Sequence, residues 1–307
     1  NRRRFYNSTT IIAPIDVVFN VHGATILSHV TMKAKDLSSV LGLSECCIPC
    51  PDALIETLLT DSRKADRTSV SLFFAIPTMR NNGCRYVADL YQRGVRNFVL
   101  PQQADAALLR QLSTWGDANY WLVPDVVAAL QQVAASQRAG HDIPVVGITG
   151  SNGKTVVKDW LVQLLSSDHS VAASPRSYNS QIGVPLSVWS LQPHNDLALF
   201  EAGISQPGEM DALRRVIQPT IGIFTNVGSA HDENFVSRKQ KTVEKMSLFS
   251  QCEVLVYCSD MQEIRSAVES DPMRFSFRSF TWGTSDQADV RLHSTRVEEG
   301  ATTLDIV

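Results

Sequence analysis

Between Pro144 and Lys158 the chain reads Pro-Val-Val-Gly-Ile-Thr-Gly-Ser-Asn-Gly-Lys-Thr-Val-Val-Lys. Val145 to Ile148 has the apolar continuity of a strand buried on both faces. Glycines follow at 147, 150 and 153, then Lys154 and Thr155. After them Val156, Val157, Trp160, Leu161, Leu164 and Leu165 recur at helical spacing. A strand, a glycine loop, Lys-Thr and a helix make a phosphate cradle. Backbone N–H groups of Gly150, Ser151, Asn152 and Gly153 can close on phosphate oxygens, and the helix N-terminus adds partial positive charge. Lys154 would reach the β- and γ-phosphates and the Thr155 hydroxyl a Mg²⁺ ion. Ile148 stands where the strict pattern has its first glycine, so the loop is a variant form. A plain strand-to-helix turn is the simpler alternative.

Three further clusters fall at expected strand ends. Glu201 closes the apolar run Leu197–Glu201 and precedes a glycine-rich turn. A carboxylate there suits a magnesium site, and equally a helix cap. His231 follows the run Thr220–Thr225, as a ligand or a structural imidazole. The loop from Ser177 to Pro185, with Asn179 and Ser180, is rich in groups able to hold a substrate or simply to form a connecting turn. Lys245, on a predicted helix 239–249, has nothing local to distinguish it from a solvated lysine.

Around these residues the sequence alternates strands and helices. A first α/β unit is expected over 32–140, with helices at 34–41, 86–93, 104–112 and from 124 to about 139, and strands near 58–63, 71–76, 95–100 and 120–123. Arg138-Ala139-Gly140-His141-Asp142 reads as a polar linker. A second unit over 141–307 is expected to carry a mainly parallel sheet with helices on both faces and its ligands at the carboxyl ends of the strands. Its further elements are strands at 170–173, 197–201, 220–225 and 253–258 and helices at 184–191, 209–217, 239–249 and 261–270. After Phe277 the pattern changes to short strands at 289–294 and 303–307, the last read as unfinished. Residues 1–31 read as an extension or edge strand, too short and too interrupted by Pro14, Asp16 and Asn20 for a membrane span. The default compartment is the cytoplasm.

Composition narrows the class. The 307 residues carry a net charge of −3, which marks no nucleic-acid or membrane surface. The cysteines at 46, 47, 50, 84, 252 and 258 are scattered, the first three in a loop expected after the helix 34–41, as suits reduced thiols. Cys47-Ile-Pro-Cys50 has metal-site spacing but neither a second pair nor a nearby histidine.

Taken together, Gly147–Thr155, Ser177–Pro185, Glu201–Glu209 and Asn226–His231 resemble the Mur ligases, ATP-dependent amide-forming enzymes of peptidoglycan synthesis. The wording Tyr178-Asn179-Ser180, the Glu-Ala-Gly turn and Ala230-His231 are most similar to the MurF type, particularly forms fused ahead of an alanine racemase. Thr60-Asp61-Ser62-Arg63 is similar to the family's uridine-nucleotide turn, and Leu72–Ile76 with Asn82-Gly83-Cys84-Arg85-Tyr86 to its second signature. Here Asn82 and Cys84 replace the usual Asp and His, and Thr78 a common glycine.

The resemblance implies the α/β architecture above: a small UDP-binding domain, a P-loop-type central domain, and a C-terminal ligase domain that would lie after Val307. The 307 residues alone are then expected to bind without turning over. It implies ATP held by Lys154 and the loop amides, and Mg²⁺ held by Thr155 and Glu201. A second Mg²⁺ would be held by His231 and by Lys245 as a carbamate. Ser62, Arg63, Asn179 and Ser180 would meet UDP-N-acetylmuramoyl-tripeptide, to which D-alanyl-D-alanine is joined. No nucleic acid and no membrane insertion enter this reading. A folylpolyglutamate synthetase-like ligase and a non-catalytic nucleotide-binding protein are the alternatives. A P-loop kinase or GTPase is a third, for which no Asn-Lys-x-Asp guanine signature appears.

Overall fold

The computed structural model describes residues 31–43, 46–78, 82–228, 234–271, 275–298 and 301–307. The extension expected over 1–31 falls almost wholly outside the described residues. The first half of the chain runs β1 (Met32–Lys33), α1 (Ala34–Leu41), β2 (Cys46–Cys47), β3 (Leu54–Ile55), β4 (Thr57–Leu59), β5 (Ser71–Phe74), α2 (Val87–Gln92), β6 (Asn97–Pro101), α3 (Ala106–Ser113), β7 (Asn119–Val123) and α4 (Val126–Ala139). Strands β4, β5, β6 and β7 pair in parallel in sequence order, and β2 adds an antiparallel edge to β7.

Alternation along a strand puts neighbouring side chains on opposite faces, so a strand covered on both sides is apolar throughout. Strand β5 shows this. Leu72 and Phe74 pack into one core with Trp121 and α4, while Phe73 joins the opposite core with Val87, Leu90 and Phe98. Asp125 caps α4 by accepting from the Val127 and Ala128 amides.

The second half runs β8 (Val145–Thr149), α5 (Lys154–Leu165), β9 (Val171–Ala173), α6 (Gly183–Trp189), β10 (Leu197–Glu201), α7 (Glu209–Ile217), β11 (Ile221–Phe224), α8 (Arg238–Met246), β12 (Val254–Cys258), α9 (Gln262–Ser270), β13 (Arg278–Gly283), β14 (Val290–Glu298) and β15 (Ala301–Ile306). The sheet order is β15-β14-β13-β12-β11-β8-β10-β9, parallel except for the β14–β15 hairpin. The mainly parallel α/β arrangement expected from the sequence is therefore present. Strand β8 lies between β10 and β11, where the winding reverses direction, and a crevice opens beyond the carboxyl ends at such a point. Among the described residues no helix is long and apolar enough to cross a membrane.

The structure corrects three local expectations. No strand is expected at 278–283, yet β13 pairs in parallel with β12 over five residues. Its large side chains Phe280 and Trp282 remain 39% and 42% exposed and alternate with Ser279 and Thr281, so it lacks the apolar run of a central strand. The strands after it are longer than expected and form an antiparallel pair. In the first half, Cys46 and Cys47 lie in an edge strand, where a loop is expected.

Helix α4 belongs to both halves. Val126, Leu130 and Val133 pack in the first core, where they meet Trp189 from α6, whereas Ala134 joins the core of the second sheet. At its end Arg138 is buried and donates to the carbonyls of Ile217 at 3.0 Å and Gln218 at 3.2 Å. Burial pushes this guanidinium below its ordinary value. Replacing Arg138 by Met leaves those carbonyls without their donor. The expected loss is about 2–3 kcal/mol of stability, read as a lower urea midpoint with secondary structure intact.

Candidate active site

The glycine loop follows β8 and leads into α5. Gly150 has φ +147° and Gly153 φ +79°, both in the region that favours glycine. A Cβ at Gly150 would in addition approach Thr225 Oγ1 to 2.0 Å. The loop is braced from β11: Ser151 N donates to Asn226 O at 2.9 Å, Asn152 N to Asn226 Oδ1 at 3.0 Å, and Thr225 Oγ1 to Asn152 O at 2.6 Å. Thr225 and Asn226 thus hold the loop's shape, a role the sequence motif alone does not reveal.

Two lysines converge on one carbonyl. Lys154 Nζ donates to Gly150 O at 2.8 Å, and Lys245 Nζ, arriving from α8, donates to the same oxygen at 3.2 Å. One turn earlier on α8, Lys241 donates to Gly228 O at 2.6 Å. Burial pushes Lys154 below its usual value, with Glu201 opposing the shift. Lys245 is pushed down to about 7, by burial first and then by the charges of Lys154 and Lys241. The sequence offers no local sign of this, because the cause lies in the residues packed around the ammonium.

Glu201 ends β10 with no exposed surface. Its Oε2 accepts from Thr155 Oγ1 at 3.1 Å and from Asn179 Nδ2 at 3.5 Å. Its Oε1 has no hydrogen-bond partner and lies 3.4 Å from Lys158 Nζ. The Ser177 hydroxyl is 3.3 Å from that of Thr155. Two hydroxyls on the Oε2 side of a buried carboxylate fit a hard cation. Among the described residues no three acidic, histidine or cysteine side chains cluster. One carboxylate beside hydroxyls is what magnesium uses when phosphates and water complete its shell.

A cavity of about 380 Å³ is lined by Gly150, Ser151, Lys154, Asn179, Ser180, Gly203, Ile204, Glu209 and Lys245, and its wall meets this group at Asn179. A second, of about 460 Å³, is lined by Thr60 to Arg63, Thr78, Gly83 and Tyr86. Ile182 lines both. Asp61 caps the turn at Ser62–Lys64 and is clasped by Arg63 at 2.9 and 2.8 Å, which pulls the carboxyl down to about 2. Asn82 Oδ1 accepts from Cys84 N at 3.0 Å, a capping task an aspartate would perform equally, so this substitution preserves the turn.

Of the residues singled out from sequence, Gly150, Ser151, Lys154, Asn179, Ser180 and Lys245 share the first cavity, and Ser62 and Arg63 the second. Thr155 and Glu201 meet each other beside the first, and Asn152 is held at the loop. His231 lies outside the described residues. Lys158 was not singled out, and Ser177 was read only as the first residue of a polar loop, not as a partner of Thr155. The signal available for Lys158 was its place one turn after Lys154 on the same helix.

The family model described as Mur ligase middle domain matches residues 148–307. The chain belongs to the Mur ligase family. Among curated relatives, the UDP-N-acetylmuramoyl-tripeptide--D-alanyl-D-alanine ligase of Bacillus subtilis is 28% identical over 257 residues, covering 80% of this chain and 51% of that protein. The same-named ligase of Treponema pallidum is 35% identical over 183 residues, covering 59% and 40%. This Mur ligase chain thus spans about half the length of the curated relatives it matches, or less. In fold it is similar to MurF from Acinetobacter baumannii, with TM-score 0.76, 21% identity and coverage of 91% of this chain and 59% of that one. It is similar also to MurF from Thermotoga maritima in complex with ADP, with TM-score 0.69, 23% identity and coverage of 81% and 55%.

The charge state of Lys245 gives this Mur ligase a pH signature. Its folded pKa of about 7 lies below the ordinary 10.5, so between those values the unfolded chain binds the extra proton. Stability from this group therefore rises with pH across that window and is flat below it. Lys245→Met removes the dependence. In bicarbonate-free buffer, the stability gained by the variant over the parent is expected to be larger at pH 6.5 than at pH 9.5. Urea midpoints that keep the same separation at both would contradict the shift.

Proposed function

We propose that this chain carries the ATP and acceptor sites of an amide ligase of peptidoglycan precursor synthesis. The reaction would join D-alanyl-D-alanine to UDP-N-acetylmuramoyl-tripeptide in the cytoplasm. Residues 32–140 would bind the UDP-sugar end, at Ser62 and Arg63. Residues 141–307 would form the ATP-binding unit, with the phosphates on the loop amides and Lys154. The observation that carries this reading is the convergence of Lys154 and Lys245 on Gly150 beside the buried Thr155–Glu201 pair, in a chain of this family.

The chemistry follows from the charges. A carboxylate of the acceptor attacks the γ-phosphorus, the bond to the β-phosphate oxygen breaks, and ADP leaves. The dipeptide amine then attacks the carbonyl carbon of the acyl phosphate, loses its proton and expels phosphate. Both partners of the first step are anions, so the site must neutralise them and hold them in line. Lys154 supplies charge at the phosphates. Asn179 and Ser180, in the same cavity wall, supply donors for the acceptor carboxylate. Thr155, Glu201 and Ser177 would hold Mg²⁺, which when bound neutralises phosphate oxygens. Lys245, with so low a proton affinity, presents the neutral amine that carbon dioxide requires. As a carbamate, having lost a proton on adding carbon dioxide, it would be an anion and, with His231, suit a second Mg²⁺.

The deciding experiment is a coupled phosphate-release assay on the protein containing this chain. UDP-N-acetylmuramoyl-tripeptide, D-alanyl-D-alanine and ATP are each omitted in turn. Release that needs all three is expected, and release indifferent to either peptide substrate contradicts the proposal. Lys154→Ala is expected to lower kcat by roughly 100-fold or more, the scale of losing a charge-stabilising donor. Lys245→Ala is also expected to lose activity. Added acetate should restore part of it, because a free carboxylate replaces the carbamate. No restoration would argue for an unmodified lysine.

A further inference from the structure

Lys158 has no role in the chemistry above, yet its side chain is only 2% exposed. Its Nζ donates to Ser174 O at 2.7 Å and to Arg176 O at 2.8 Å, and lies 3.1 Å from Asp159 Oδ1 and 3.4 Å from Glu201 Oε1. A lysine buried this far costs burial energy unless charge and hydrogen bonds compensate. Here the compensation comes from the turn after β9 and the end of β10.

The turn has a strained residue. Arg176 has φ +51°, a left-handed conformation that non-glycine residues adopt at a cost. The Ser174 and Arg176 carbonyls, on two sides of Pro175, point at the same ammonium. The residue that follows is Ser177, whose hydroxyl faces Thr155. Lys158 therefore touches both segments that complete the group around Thr155. It lies beside Oε1 of Glu201, while Thr155 and Asn179 are hydrogen-bonded to Oε2.

We infer that Lys158 is a positioning residue for the cation site: by holding the Ser174–Arg176 turn and the Oε1 side of Glu201, it sets Ser177 and Oε2 against Thr155. This rests on the reading of Thr155, Glu201 and Ser177 as the magnesium site. Groups that orient metal ligands from behind affect metal affinity strongly, by roughly 10–100-fold when removed. A lysine that only filled space would instead affect folding.

The test uses Mn²⁺ in place of Mg²⁺, measured by electron paramagnetic resonance with ADP bound, alongside ADP affinity without metal and the melting temperature. Lys158→Met is expected to weaken Mn²⁺ binding by roughly 10–100-fold, while metal-free ADP affinity stays near the parent's. Lys158→Arg, which keeps the charge, is expected to recover much of the Mn²⁺ affinity. Lys158→Gln, which keeps donors for the two carbonyls without the charge, serves if the Met variant does not fold and is expected to show the same selective loss. Parent-like Mn²⁺ affinity in either folded neutral variant overturns the inference. So does a parallel loss of metal and metal-free nucleotide binding. If the parent itself binds no Mn²⁺ with ADP, the magnesium-site reading fails, and the inference with it.

Discussion

A carboxylate with no exposed surface must be answered from within the protein. Glu201 stands at the end of a central strand, and an ion there without partners costs several kcal/mol. Its answer comes from two separate segments: Thr155 and Lys158 on α5, and Asn179 in the loop after β9. None is near it in sequence, so the group exists only when β8, β9 and β10 are in register. The parallel pairing of Glu201 with Ile148 brings the glutamate to the level of the glycine loop. The same register places Thr225, opposite Gly150, where it braces that loop.

The other side of the crevice has the opposite charge. Lys154 and Lys245 share one carbonyl as acceptor, and the second holds its proton weakly because it is buried from water and then because the first is close. Such crowding destabilises the unliganded fold and favours whatever brings negative charge. The two halves of the chain also meet at this place. Lys64, at the end of the Asp61-capped turn, donates to the Tyr178 hydroxyl at 3.2 Å, next to Asn179. Ile182 forms a common wall of both cavities.

Much of the architecture could be read from local patterns. The helices Ala34–Leu41 and Glu209–Ile217 have the bounds their spacing implies, and the apolar run after Pro144 is the strand β8. Strand β13 was not legible, because half-exposed Phe280 and Trp282 lack the signature of a strand buried on both faces. The edge strand at Cys46–Cys47 was not legible either, since two residues pairing with β7 carry no period of their own. In the site, Lys154, Thr155 and Glu201 stood out by type and by position at strand ends. Lys245 stood out only through likeness to a family. Lys158 did not stand out, because nothing along the chain shows what it touches, and Ser177 stood out only as the start of a polar loop.

The amino-acid sequence by itself determined what depends on near neighbours along the chain. It set the glycines able to take up positive φ, the side chains at the start of α5, and the alternation that makes strands and helices. The tertiary structure alone decided what depends on distance in space. It decided which lysine is buried among other cations, which glutamate oxygen is left unsatisfied, and which hydroxyl faces Thr155. Proton affinity and desolvation are set by every charge and water molecule within a few ångströms. Most of those neighbours come from elsewhere in the sequence.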